Sequence, residues 1–214
     1  LQYLYCINGN QIAFFGMQNN LVQFTLDATS LNLDNDSFTP SLVETSPHYQ
    51  GVVFIQVNTT TIALVYVGLA PQNYIVLSTL TLPANITSFT VSEETLLILT
   101  SDPLMYSYSL ANLRKPILIN TYANLAFNTT GGLLSSGSQI FISSDSINGT
   151  FNVLNSRLPD ASRVFPITGE TVLSSIELRG SELIFYYSAN GTFEAVQYFH
   201  NTRLTITLKD RKSV

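Results

Sequence analysis

No tryptophan occurs in the 214 residues, and there is a single cysteine, Cys6. A lone thiol excludes an internal disulfide, although a domain of this length can be stable without one. Charge is also scarce. Asp, Glu, Lys and Arg make up 11 % of the chain, against about 25 % in an average soluble protein. The net charge is −5 and no basic face gathers, which argues against a nucleic-acid partner. Between Thr45 and Ser92 there is no charged residue at all. Polar residues nonetheless interrupt that stretch every few positions, so no run reaches the ~18 apolar residues of a membrane span. The chain starts at Leu1 without a charged-then-apolar leader, so it reads as a processed chain or a piece of a larger one.

What the chain has is hydrophobic side chains, 45 % of the total with 13 Phe and 11 Tyr. That is enough for a large core, and it excludes the low hydrophobicity of a disordered chain. Five apolar runs stand out, beginning near Ile12, Ile62, Leu96, Ile140 and Leu183. They are spaced 50, 34, 44 and 43 residues apart. Runs apolar on both faces suit strands sandwiched between neighbouring sheets. A shorter strand and a tight turn precede each run, as at Asn8-Gly9-Asn10, Glu93-Glu94 and Gly180-Ser181. A turn and a third strand follow, and a weaker fourth strand can be drawn, for example Ile117–Tyr122 and Arg203–Leu208. No helix is expected.

A period near 43 residues matches a four-stranded propeller blade, about 40–50 residues. The chain therefore reads as all-β: a β-propeller or propeller fragment of about five four-stranded blades. They are expected within one domain over 1–214, at about 1–44, 45–86, 87–126, 127–169 and 170–214. The competing architecture is a tandem pair of β-sandwiches, against which the period weighs.

Several stretches carry a resemblance. Leu96–Pro116 resembles degenerate extracellular propeller repeats, and Ile12–Leu33 resembles a kelch blade in outline. In the latter, Gly16-Met17 stands where kelch has a glycine pair. Ser143–Phe151 and Ser188–Phe193 are similar to the Asp box of sialidase-like and sortilin-like propellers, with Phe in place of Trp. The likeness is to the β-propeller superfamily, and the box it implies is a structural hairpin, not a catalytic one.

The Asn-x-Ser/Thr triplet occurs at Asn35, Asn58, Asn85, Asn128, Asn148 and Asn190, each in an expected turn or loop. Such sites accept N-linked glycans only in secretory compartments. With so little surface charge, the expected setting is outside the cell or at its surface.

Chemistry-bearing clusters are sparse. His48 and His200 have no second ligand at metal spacing. Asn32–Ser37 offers alternating oxygens but lacks the glycine and closing Glu of a calcium loop. A glycosidase needs two carboxylates about 5–10 Å apart. Asp102, Asp145, Asp160, Glu170 and Glu177 are the candidates, with only scattered arginines (114, 157, 163, 179, 203 and 211) to hold an acidic sugar. Phe14, Phe15, Tyr66, Tyr106, Tyr108, Phe185, Tyr186 and Tyr187 offer either a sugar-stacking surface or core, and alternation assigns about half to core. Cys6 is expected to pack as a small apolar residue. No catalytic, cofactor or metal site is therefore expected.

The expected role is binding or assembly with a protein or glycan partner, through loops such as Asp27–Glu44, Ala111–Pro116 and Asn155–Pro166. A propeller glycosidase or sialidase-like hydrolase and a coat or filament component are the alternatives.

Overall fold

The structure, a computed structural model, describes residues 3–16, 22–33, 37–46, 48–68, 74–102 and 104–123, and beyond these the strands between 133 and 206. Side chains are described within 5–15, 24–33, 37–46, 48–68, 74–102 and 104–123.

Every described element is a strand apart from one 3-10 turn, Thr29–Leu31. The strands form five separate sheets, each made of strands consecutive in sequence. The first holds β1 (Tyr3–Asn8), β2 (Gln11–Gly16) and β3 (Val22–Leu26). The second holds β4 (Leu42–Thr45), β5 (Val52–Gln56), β6 (Thr61–Val67) and β7 (Tyr74–Thr81). The third holds β8 (Ile86–Ser92), β9 (Thr95–Thr100), β10 (Met105–Ser109) and β11 (Ile117–Tyr122). The fourth holds β12 (Leu133–Ser136), β13 (Gln139–Ser143), β14 (Thr150–Asn155) and β15 (Leu158–Pro166). The fifth holds β16 (Val172–Glu177), β17 (Leu183–Ser188), β18 (Phe193–Gln197) and β19 (Thr202–Ile206). Each sheet is a meander on its own consecutive strands, which is the blade pattern and not a pair of sandwiches with Greek-key crossovers.

The chain divides into two compact units, Leu1–Asp102 with Tyr106–Thr121, and Pro103–Met105 with Tyr122–Val214. Within the first unit, the opening strands of sheets two and three, β4 and β8, lie side by side. The Tyr5 hydroxyl on β1 donates to the Val43 carbonyl on β4 at 2.8 Å. Within the second unit β12 and β16 are neighbours in the same way.

Burial follows position in the sheet. β5 is buried throughout, and β6 at every residue but Tyr66. The last strands are open: β7 has no fully buried residue, and β11 is exposed along almost its whole length. Alternation divides the buried strands between two faces. Val53, Ile55, Ala63 and Val65 join Phe14, Phe24 and Leu26 of the first sheet in one core. There the rings of Phe14 and Phe24 stack at 4.5 Å. Val52, Phe54, Ile62 and Leu64 are buried on the opposite face.

The expected blade phase needs one correction. In sheets one, three, four and five the long apolar run is the second strand, but in sheet two it is β6, the third. The short strand Leu42–Thr45 comes first, and Val52–Gln56 takes second place. The second strands then start at residues 11, 52, 95, 139 and 183, spacings of 41, 43, 44 and 44. The uneven 50 and 34 came from comparing unlike strands. The expected divisions at 44/45 and 86/87 fall inside β4 and β8. A second correction concerns Asn155–Pro166, expected to be a loop, where Leu158–Pro166 is the outer strand β15. Proline is tolerated on an edge strand because one side of it makes no ladder bonds.

Candidate functional site

An antiparallel meander returns the chain to the same end after every second strand. Three connections therefore meet at one end of sheets two and three: the β4–β5 turn, the β8–β9 turn and the β10–β11 loop. Side chains join them. The Tyr49 hydroxyl donates to the Leu110 carbonyl at 3.0 Å. His48 Nε2 lies 3.6 Å from Glu94 Oε1, with both side chains about half exposed or more, so the pair contributes little to stability. The Leu110 amide donates to the Glu94 carbonyl at 2.7 Å.

The β10–β11 loop is held at several other points. The Arg114 amide donates to Asn112 Oδ1 at 3.0 Å and the Ala111 amide to Ser109 Oγ at 3.3 Å. From the neighbouring sheet, the Ser78 hydroxyl donates to the Leu113 carbonyl at 2.7 Å. A bulge makes that reach possible. The β6–β7 register shifts between Leu64 and Val65, so that Leu64 faces Ser78 and Val65 faces Val76. Leu77 is the extra residue. A bulge brings two successive side chains toward one face, and here Ser78 pins the loop while Leu77 lines the space beside it.

That space is an open groove of about 480 Å³. Its walls are Tyr49 and Val52 at one side, Tyr66 and Leu77 along the sheet, and the Leu110–Arg114 loop opposite. Tyr66 is 41 % exposed. Its ring lies across Gly51, whose φ of +79° suits glycine. A Cβ at Gly51 would stand 3.2 Å from both the Tyr66 ring and the Val67 carbonyl oxygen, so glycine at 51 sets where Tyr66 can lie. Burial, and then the charge of Glu94, push the Tyr49 phenol up to about 12. It therefore stays protonated, able to donate to Leu110, across the physiological range. Arg114 is exposed at the rim and is followed by the exposed Lys115.

No protein-family model matches the sequence, and no curated protein matches it. Solved structures do match. Raptor from Chaetomium thermophilum superposes with a TM-score of 0.70 at 15 % identity, over 97 % of this chain and 20 % of that one. A chain of a mitotic checkpoint complex gives 0.68 at 13 %, over 94 % and 60 %. The β-propeller domain of Cps50 (Swd1) from Myceliophteria thermophila gives 0.68 at 12 %, over 98 % and 71 %. The fold is that of a β-propeller or propeller fragment. The chain spans a fifth of Raptor and three fifths of the checkpoint-complex chain, and at such identities the likeness concerns fold alone.

The propeller places the expected residues unevenly. Of the three loops singled out for recognition, Ala111–Pro116 is the one that forms a groove wall. Of the aromatics, Phe14 and Tyr106 are core, Phe15 and Tyr108 are half-buried, and Tyr66 lines the groove. Phe185, Tyr186 and Tyr187 lie on β17, where side chains are not described. Cys6 is exposed and free, against the expectation of packing.

Of the candidate hydrolase carboxylates, Asp102 is exposed beyond β9. Asp160 and Glu177 sit on β15 and β16, and Asp145 and Glu170 lie outside the described residues. Among the described residues no three His, Cys, Asp or Glu side chains gather at metal-binding distance. His200, Asn35, Asn128, Asn148 and Asn190 also lie outside the described residues. Asn85 is exposed. Asn58 is half-buried, with its Nδ2 donating to the Ser37 carbonyl at 3.3 Å and its Oδ1 accepting from the Thr60 amide at 2.9 Å.

Nothing in the sequence alone marks Tyr49 or Leu77 as a groove residue. Only Gly51 carried a local signal, a glycine at the mouth of an apolar strand.

Proposed function

We propose that this propeller is a binding or assembly module that engages a protein partner through the groove between its second and third blades. The observation that carries this reading is the groove itself. One wall is a loop tied to the neighbouring blade by Tyr49 and Ser78, and the floor is an exposed tyrosine. A pre-ordered wall lowers the entropy lost on association, and tyrosine and arginine are the side chains that most often dominate interfaces. A similar propeller chain that belongs to a checkpoint complex supports an assembly role.

A photo-crosslinking side chain at Tyr66, in the protein expressed in its own host, is expected to capture a discrete protein. The same group at Thr79, exposed on β7, is expected not to. Equal capture at both positions, or none at Tyr66, would overturn the reading.

We further propose that the protein is an N-glycosylated one, exported or held at the cell surface, and that it is not a hydrolase. The six triplets and the scarcity of charge support the first part, as does the exposure of Asn85. Intact mass of natively sourced protein should fall on enzymatic deglycosylation, with Asn85 occupied. Asn58, whose amide nitrogen already serves Ser37, should be the less occupied of the two. An unchanged mass would place the protein in a compartment without glycosylation.

A further inference from the structure

We propose that the groove recognises a short acidic segment of its protein partner, with an aliphatic or aromatic side chain seated over Tyr66 and Leu77 and a neighbouring carboxylate held by Arg114. This rests on the reading of the groove as a protein-binding site and names what it binds.

Three observations carry it. First, Arg114 is the one charged side chain among the described residues that line the groove, and Lys115 follows it on the surface. A chain with 9 basic against 14 acidic residues thus presents positive charge beside its apolar groove. Glu94, on the β8–β9 turn, is not among the lining residues and lies against His48. Guanidinium binds carboxylate in a planar, bidentate manner, so an acidic group is the complement.

Second, the rest of the described lining is Tyr49, Val52, Tyr66, Leu77, Leu110, Ala111 and Leu113, with amide side chains at Gln50 and Asn112. Two of the loop's carbonyls, at Leu110 and Leu113, are already taken by Tyr49 and Ser78. A sugar draws on several convergent polar partners, and here two amides and the Arg114 guanidinium are set among seven aromatic or aliphatic residues. A side chain that is itself apolar needs none.

Third, a volume of about 480 Å³ lies in the range of sites that enclose small ligands. That admits an anchor side chain and a few flanking atoms.

The experiment uses the purified chain and a fluorescein-labelled peptide library of the form x-x-Φ-x-Z-x. Φ is Leu, Ile, Phe or Tyr, and Z is Asp, Glu, Asn or Gln. Binding is read by anisotropy. Peptides with Asp or Glu are expected to bind about tenfold tighter than their amide counterparts, with the advantage shrinking as salt is raised. Arg114→Ala should erase that advantage without weakening the amide peptides further, and Arg114→Lys should restore part of it. Tyr66→Ala should weaken all peptides alike. Both side chains are exposed, so neither change threatens folding.

Two results would overturn the inference. One is equal affinity for acidic and amide peptides. The other is an acid preference that survives Arg114→Ala. If no peptide binds while crosslinking at Tyr66 still captures a protein, the acidic-segment inference fails and the protein-binding reading stands. If neither occurs and a glycan array is bound instead, both fail.

Discussion

Replacing Glu44 by Gln is expected to remove a fall in stability that the native protein shows between about pH 4.5 and pH 7. Glu44 sits on β4, opposite Phe54, and no ion pair to it exists among the described residues. Burial pushes its carboxyl from the ordinary 4.5 up to about 7. The proton is thus held more tightly in the folded chain than in the unfolded one. By linkage, stability is fully present below the unfolded value and is lost as the pH rises through the folded value. The gap amounts to about 3 kcal/mol at most, from ~1.4 kcal/mol per pH unit. The neighbouring phenol follows the same logic: burial first, then the charge of Glu44, raises Tyr5. Urea titrations at several values from pH 4 to pH 8 would check this. Wild type should lose stability across the window while Glu44→Gln stays level, and the two should converge near pH 4. Parallel curves would sink the argument.

Phe54→Ala is expected to cost about 3–5 kcal/mol, a third or more of the stability of an ordinary domain. Phe54 is fully buried in the middle of β5. It lies between Glu44 and Leu64 in the ladder, and its ring centroid is 6.4 Å from that of Tyr49. Removing the ring leaves a cavity at a fully buried position between two neighbouring strands, where relaxation is limited. It also takes away the packing that holds Tyr49 against the groove loop. Denaturant midpoints should therefore drop sharply, and peptide affinity at the groove should fall in conditions where the variant is still folded. Tyr66→Ala, on an exposed side chain, is the control and should shift the midpoint little. A loss under about 1 kcal/mol for Phe54→Ala would show that this face is not the tight core described.

Much of the strand pattern was legible in the chain. The Asn8-Gly9-Asn10 and Glu93-Glu94 turns are hairpins, with Gly9 at φ +56° and Glu93 at φ +48°. Ile117–Tyr122 is a strand as drawn. These features are local: a turn residue and a run of β-branched side chains need no distant partner to be recognised. The phase of the second blade was not legible, because Val52–Gln56 and Thr61–Val67 are both strongly apolar runs. Leu42–Thr45, at four residues, is too short to show alternation. The outer strand β15 hid behind Pro159, Pro166 and two charges, residues an edge strand accepts and a central one does not.

The groove divides along the same line. By itself the amino-acid order determined that the chain is all-β, that it repeats about every 43 residues, and that the polar loop Ala111–Pro116 sits on the surface. Hydrophobic periodicity and turn chemistry act over a few residues, so they can be read from neighbours in sequence. Only the tertiary structure decided that Tyr49, Tyr66, Leu77 and Arg114, spread over more than sixty positions, face one space. That meeting depends on the register of β6 against β7, on a one-residue bulge and on the order in which strands stack outward. Those are settled by packing between whole sheets, and no short stretch of sequence encodes them.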